Sequence, residues 1–246
     1  MKIILKSIFI IAAAIFTAFA NAQPDTAQSL TEKQKAIISI TAVAAKGNLS
    51  KLKSEITNGL DLGLTVNQIK ESMVHLYAYA GFPRSIRGLQ IFMEVLDQRK
   101  TDGVADELGP TASLVKDDRS KYERGVETLY DLTGRDWSNP KSGYSAFAPL
   151  IDQFLKEHLF ADIFERDVLT YQQRELVTIS VLSSIGGVSP MLKGHYNICL
   201  HLGLSPNQLK QFVKIIQSTI GKKEAKAARA VLNEVLQENK QEIIRK

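Results

Sequence analysis

From residue 30 onward, apolar positions return along the chain at helical intervals. Ile37, Ile40, Thr41 and Ala44 recur on one face behind a Thr31 N-cap, and Gly47-Asn48 stops that helix. A second helix over residues 49–62 ends at Gly63, a good C′ residue. Thr65 caps a third through Tyr79, and Gly81-Phe82-Pro83 breaks the pattern before a fourth that closes near Arg99. Residues 122–132 predict a short helix closed by Gly134, and residues 136–144 a loop around Trp137, Pro140 and Gly143. Residues 147–164 are amphipathic, with Leu150, Ile151, Phe154, Leu155, Leu159 and Ile163 on one side. In residues 169–205 a glycine turn joins two more helices, one holding Glu175 and the other His195. No strand-like alternation persists over a useful length, so the pattern predicts an all-α protein.

The later helices restate the earlier ones. Leu30-Thr31, Gln34, Ile40 and Gly47 match Leu169-Thr170, Gln173, Ile179 and Gly186, each 139 residues on. After a one-residue slip, Leu62-Gly63-Leu64, Asn67-Gln68 and Lys70 match Leu202-Gly203-Leu204, Asn207-Gln208 and Lys210. Gly81 and Glu94-Val95-Leu96 then match Gly221 and Glu234-Val235-Leu236. The matches fall on turns, caps and core positions in one order, which marks an internal duplication. Two copies are too few for a solenoid, so a pseudo-two-fold pair packed face to face is expected. The repeats span 30–100 and 120–240, with a polar linker over 101–119.

Composition adds compartment and excludes some partners. Lys2 and Lys6 precede an uncharged run over residues 8–19 and small residues at Ala18, Ala20 and Ala22, the pattern of a secretory signal peptide over 1–22. Cleavage is expected after Ala20 or Ala22, giving a periplasmic or secreted protein with no stable membrane association. That removes two lysines and no acid, taking the formal charge from +5 to +3, too little and too evenly spread for nucleic acid. Cys199 is the single cysteine, so no internal disulfide forms and stability must come from a core.

A carboxylate and an imidazole brought together inside an apolar helical pair can pass a proton, which singles out Glu175 and His195. The plainer alternatives are an exposed glutamate paired with a basic neighbour and a structural histidine. At the equivalent places the first copy has Ala36 and Glu55. It carries instead Glu71, His75 and Tyr79, one helical stripe at i, i+4, i+8, where the second copy has Gln211, Ile215 and Thr219. Each copy has kept a different half of a polar set. Cys199 reads as a core residue, with a thiol nucleophile as the alternative; His201 reads as a helix cap and His158 as surface. His75 and His195 have no close-spaced His or Cys partner, so no metal site is predicted. There is no glycine-rich phosphate loop and no G-x-S-x-G elbow.

With YERGVETLYDLTG, FADIFERDVLTYQQRELVTISVL and KGHYNICLHLGLSPNQLK in residues 121–236, the chain resembles the carboxymuconolactone decarboxylase family, which includes the alkylhydroperoxidase D branch. Residues 30–96 resemble a second, shorter copy in which ESMVHLYAYAGFP matches the closing motif. The resemblance implies two tandem alkylhydroperoxidase D-like helical units and a homo-oligomer. The peroxidase branch carries a C-x-x-C pair feeding a Glu/His relay; Glu175 and His195 match the relay, but residues 185–193 contain no cysteine. The lactone decarboxylase branch uses acid–base residues without cofactor, and this chain fits that chemistry better. The expectation is therefore a cofactor-free acid–base enzyme acting on a small molecule. Glu175, His195, His75 and Tyr79 are its expected catalytic residues, and Glu71 and Arg174 its substrate-binding ones. A peroxiredoxin-type activity and a non-catalytic scaffold are the alternatives.

Overall fold

The computed structural model describes residues 29–138 and 142–245, with side chains through 241. Residues 1–22, expected to be a signal peptide, and Pro140 of the expected loop lie outside them. Among the described residues every regular element is helical: α1 Glu32–Lys46, α2 Leu49–Asp61, α3 Val66–Thr101, α4 Lys121–Thr133, α5 Tyr144–Phe147, α6 Pro149–Phe154, α7 Tyr171–Ile185, α8 Ser189–His201, α9 Pro206–Thr219 and α10 Lys222–Arg245. Between α6 and α7 the chain continues in wider π-type turns over Leu155–Ile163. None of these helices is long and apolar enough to cross a membrane.

Helix starts follow one local rule. Thr31, Thr65, Thr170 and Ser205 each accept from the backbone N–H three residues on, and a glutamine there reaches back to the cap backbone, a capping box. Gly47 ends α1 in the left-handed region at φ 79°, where a Cβ is unfavourable. The break expected at Gly81 is present: its non-helical φ 80° and ψ 163° make α3 two helices joined at a kink, which admits Pro83. The linker has no regular secondary structure over 104–118, and its Glu107 and Leu108 carbonyls accept from the Val66 and Asn67 N–H groups at the start of α3.

The two repeats exchange parts. One core joins α1, α2 and α3 and takes in Leu169, Val177 and Val181 from the second repeat. The other joins α7 through α10 and takes in Leu30, Ile38 and Ala42 from the first. These triplets occupy equivalent repeat positions, so the exchange is symmetric. Accordingly α1 packs on α7 and α9, while α3 packs on α7. The repeat boundaries therefore mark copies of a unit, not separately packed bodies. Centrally placed, α7 buries all eleven residues from Arg174 to Ser184.

One helix contradicts its sequence reading. Leu159 and Ile163 do enter a third cluster with Leu129, Leu132 and Phe164. Leu150, Ile151 and Phe154, assigned to the same core side, are 59%, 47% and 53% exposed. Asp152 and Lys156 take the inward places instead, at 8% and 5% exposure, joined by a 2.9 Å ion pair. The wider π-type turns shift the register, so one face of the sequence pattern divides between core and solvent.

Close approach of α4 to this segment depends on Gly125, where a Cβ would stand 1.9 Å from the Lys156 carbonyl oxygen. Gly125→Ala should cost about 1–3 kcal/mol or more, because backbone must move. Gly88→Ala meets the flexible Met73 sulfur at 2.8 Å and should cost less. Thermal unfolding of both variants checks the order.

Candidate functional site

Helix α7 presents Arg174, Glu175 and Thr178 in two successive turns, α8 presents His195, and the first half of α3 presents Glu71, His75 and Tyr79. The reciprocal packing brings all three helices together at one place. Glu175 has no exposed surface, and its Oε2 accepts from His195 Nδ1 at 2.8 Å. The His195 side chain is 15% exposed and lines a cavity of about 630 Å³. Against a carboxylate acceptor the Nδ1–H donates, which leaves the Nε2 lone pair with no protein partner among the described residues. The second carboxylate oxygen, Glu175 Oε1, is buried and also unpartnered. Gly194 lies beside His195 on the wall, and a Cβ there would meet nothing within 4 Å. Its lack of a side chain keeps the approach to the imidazole wide.

Tyr79 comes from the other repeat. Its ring meets the His195 ring edge-on at 5.7 Å, it lines the same cavity, and its enclosed hydroxyl has no hydrogen-bond partner. Burial first, then the Glu175 carboxylate, pushes the phenol far above its ordinary pKa. Thr178 lies near enough to temper that shift, but its hydroxyl is already engaged with its own neighbours. Tyr79 therefore stays a proton-bearing donor at every physiological pH.

His75 stands behind Tyr79, ring to ring at 5.5 Å, with no exposure and no place on the cavity wall. Its tautomer follows from its partners. Arg174 Nη1 can only donate, so His75 Nδ1 accepts at 3.3 Å. Thr178 Oγ1 donates to the Arg174 carbonyl at 3.0 Å, so His75 Nε2–H donates to Thr178 at 2.9 Å. A neutral ring held at both nitrogens is a wedge rather than a proton shuttle. Burial, then the charges of Arg174 and His195, hold its pKa well below 6.5.

Glu71 and Arg174, expected at the substrate, do not reach the cavity. Arg174 has no exposure and donates to Glu71 Oε1 at 2.8 Å and to the Arg166 carbonyl. Arg166 Nε adds a second contact to Glu71 at 2.9 Å. This ion cluster ties α3 to α7. The structure thus sets His195 and Tyr79 on the cavity wall, with Glu175, His75, Glu71 and Arg174 in the layer behind. Cys199 is fully buried, and burial together with the Glu175 charge pushes its thiol well above the ordinary value, so it offers no thiolate. His201, read only as a cap, also lines the cavity, while the His158 side chain is 49% exposed, as expected. Among the described residues no three His, Cys, Asp or Glu side chains converge as a metal site would.

Sequence reasoning missed the far wall, where Asp152 and Lys156 line the cavity with Arg135 and Trp137. The available signal was an Asp-x-x-x-Lys pair, one helical turn apart inside an amphipathic segment.

The fold is a duplicated helical bundle in which a buried carboxylate–imidazole pair adjoins a largely apolar cavity. A model of the carboxymuconolactone decarboxylase family matches residues 12–94 and 149–234, more than half the chain, which belongs to that family. An uncharacterized protein of Methanocaldococcus jannaschii is 28% identical over 82 residues, covering 32% of this chain and 77% of that protein. A 4-carboxymuconolactone decarboxylase of Acinetobacter baylyi is 24% identical over 122 residues, covering 49% of this chain and 90% of that enzyme.

The buried neutral His75 makes stability pH-dependent with a definite sign. Above pH 6.5 the ring is unprotonated in folded and unfolded chains, and its full contribution is present. Below that the unfolded chain takes a proton the native state refuses, so stability falls by up to about 1.4 kcal/mol per pH unit. Between pH 7.5 and 5.5, urea unfolding should show a larger loss for wild type than for His75→Gln.

Proposed function

We propose that this protein is a cofactor-free acid–base enzyme acting on a lactone or carbon acid. The observation that carries the reading is the 2.8 Å contact between a fully buried Glu175 and a His195 that lines an apolar cavity. His195 Nε2 takes the proton as the substrate C–H bond breaks, and the electron pair moves onto the adjacent carbonyl oxygen. Glu175 keeps Nδ1 as the donor and stabilises the imidazolium that forms. Tyr79, held protonated, donates to the developing oxyanion. The proton then returns from Nε2 to the product. The similarity to the Acinetobacter protein named 4-carboxymuconolactone decarboxylase supports a lactone as the substrate class.

A thiol peroxidase reading has no support in the site, because residues 185–193 contain no cysteine and Cys199 is enclosed. A non-catalytic scaffold leaves the cavity and the unpartnered Glu175 Oε1 and Tyr79 hydroxyl beside it without a role. We also place the protein outside the cytoplasm, on the basic-then-apolar pattern of residues 1–22. The family match begins at residue 12, inside that segment, so N-terminal sequencing of the exported protein decides whether it is removed. A homo-oligomer fits the uncharged outward stripe of Phe147, Leu150, Ile151 and Phe154, apolar surface suited to a second copy of itself.

Small lactones, β-keto acids and hydroperoxides, offered in parallel to wild type, His195→Ala and Glu175→Gln, test the reading. Lactone or keto-acid turnover should fall by about 10²–10⁴ in either variant. Turnover that survives His195→Ala, or a hydroperoxide activity abolished by Cys199→Ser, overturns it. Light scattering should show the Phe147→Ser/Leu150→Ser double variant smaller than wild type.

A further inference from the structure

A second cavity, of about 620 Å³, adjoins the first and shares Arg135, Trp137, Tyr144, Asp152 and Lys156 with it. The two chambers differ in character. Leu129, Leu159, Phe160 and Ile198 give the first, or inner, one apolar walls, which His195 and Tyr79 also line. The outer one is lined by Tyr122, Asp136 and three serines. Lys156 stands in the shared wall.

The lysine is built in, not a surface chain that happens to lie there. It is 5% exposed, donates to Asp152 Oδ2 and to the Tyr122 hydroxyl at 2.9 Å each, and lies 4.8 Å over the Tyr122 ring. Burial opposes its charge, but the hydrogen bonds to Tyr122 and Asp152 outweigh it and raise the ammonium's pKa. An ammonium has three donors, and two are used. Tyr122, accepting from Lys156, still has its own O–H to give, and no described residue receives it. Two adjacent unspent donors, one of them charged, suit the two oxygens of a carboxylate. Arg135, on both walls, has a guanidinium with no hydrogen bond or ion pair among the described residues, a second cation within the same rim.

We propose that the two chambers together bind an amphipathic carboxylate. Its apolar body, the size of a medium acyl chain or a fused aromatic, lies in the inner chamber, and its carboxylate is held by Lys156 and Tyr122. This rests on the cavity of the proposed function and deepens it, since it fixes which end of a substrate faces His195. A compact lactone needs only the inner chamber, whereas this ligand spans the shared wall. Asp152 sets the Lys156 ammonium in place and tempers its charge, so the site holds an anion reversibly.

Trp137, the single tryptophan, lines both chambers and reports occupancy by its fluorescence. The full chain is titrated with decanoate and with decanol. Decanoate should give a saturable change and bind about tenfold or more tighter than decanol, the scale of one charged hydrogen bond. Lys156→Met should abolish that preference while leaving decanol binding unchanged. Because Lys156→Met leaves Asp152 buried without its partner, Asp152→Asn/Lys156→Met, which removes both charges, is run beside it. Tyr122→Phe should lose preference several-fold without disturbing either charge. Equal binding of decanoate and decanol, no fluorescence response to either, or an intact preference in folded Lys156 and Tyr122 variants overturns the proposal. His195→Ala separates the two readings. Decanoate binding retained in that variant, with turnover unaffected by the mutation, would sink the acid–base function and leave this site standing.

Discussion

Glu175 places a carboxylate where no solvent reaches it, and a charge so buried is tolerated only beside a partner. The partner is His195, one helix away, and the architecture follows from keeping the two in reach. The carrying helix must run through the middle of the molecule, which α7 does. A central helix needs apolar cover on every side, and α1, α3, α8 and α10 supply it. His195 lines the cavity in front of Glu175, so whatever enters meets the imidazole with the carboxylate screened behind it.

The symmetric exchange between repeats explains why a duplicated chain has one such site and not two. Two-fold symmetry creates two equivalent places: α7, α8 and α3 meet at one, and α1, α2 and α9 at the other. At the second, Ala36 and Glu55 replace the pair, Ile215 replaces His75, and Ser39 reaches Thr219 at 3.3 Å where Thr178 faces Tyr79. Gln211, in the place of Glu71, holds the Leu30 backbone N–H at 3.0 Å. That place has become an apolar and capping junction. The polar halves left in the two copies are complementary because they meet across the repeat interface.

Behind the cavity, the Glu71–Arg174–Arg166 cluster and the neutral His75 keep α3 in register on α7 and so hold Tyr79 against His195. In front of it, α6 and the π-type turns that follow set Asp152 and Lys156 inward on the cavity wall and Leu150, Ile151 and Phe154 outward. Gly125 lets α4 brace that wall by backbone contact.

Helix positions, caps, the duplication and the Glu175/His195 pair were legible in the sequence, because periodicity and capping are local and the matched positions lie in a fixed order. The stripe of Glu71, His75 and Tyr79 was legible too, but not its division of labour. All three share one face of α3, and only the depth to which that face sinks against α7 makes Tyr79 a cavity wall and His75 a buried wedge. The same limit hid Lys156: an amphipathic pattern names two faces of a helix, and the π-type turns with the neighbouring α4 chose which one met the cavity. Sequence determined which residues travel together along each helix; contacts between helices distant in the chain decided which of them touch solvent, ligand or one another, since burial is a property of the assembled surface.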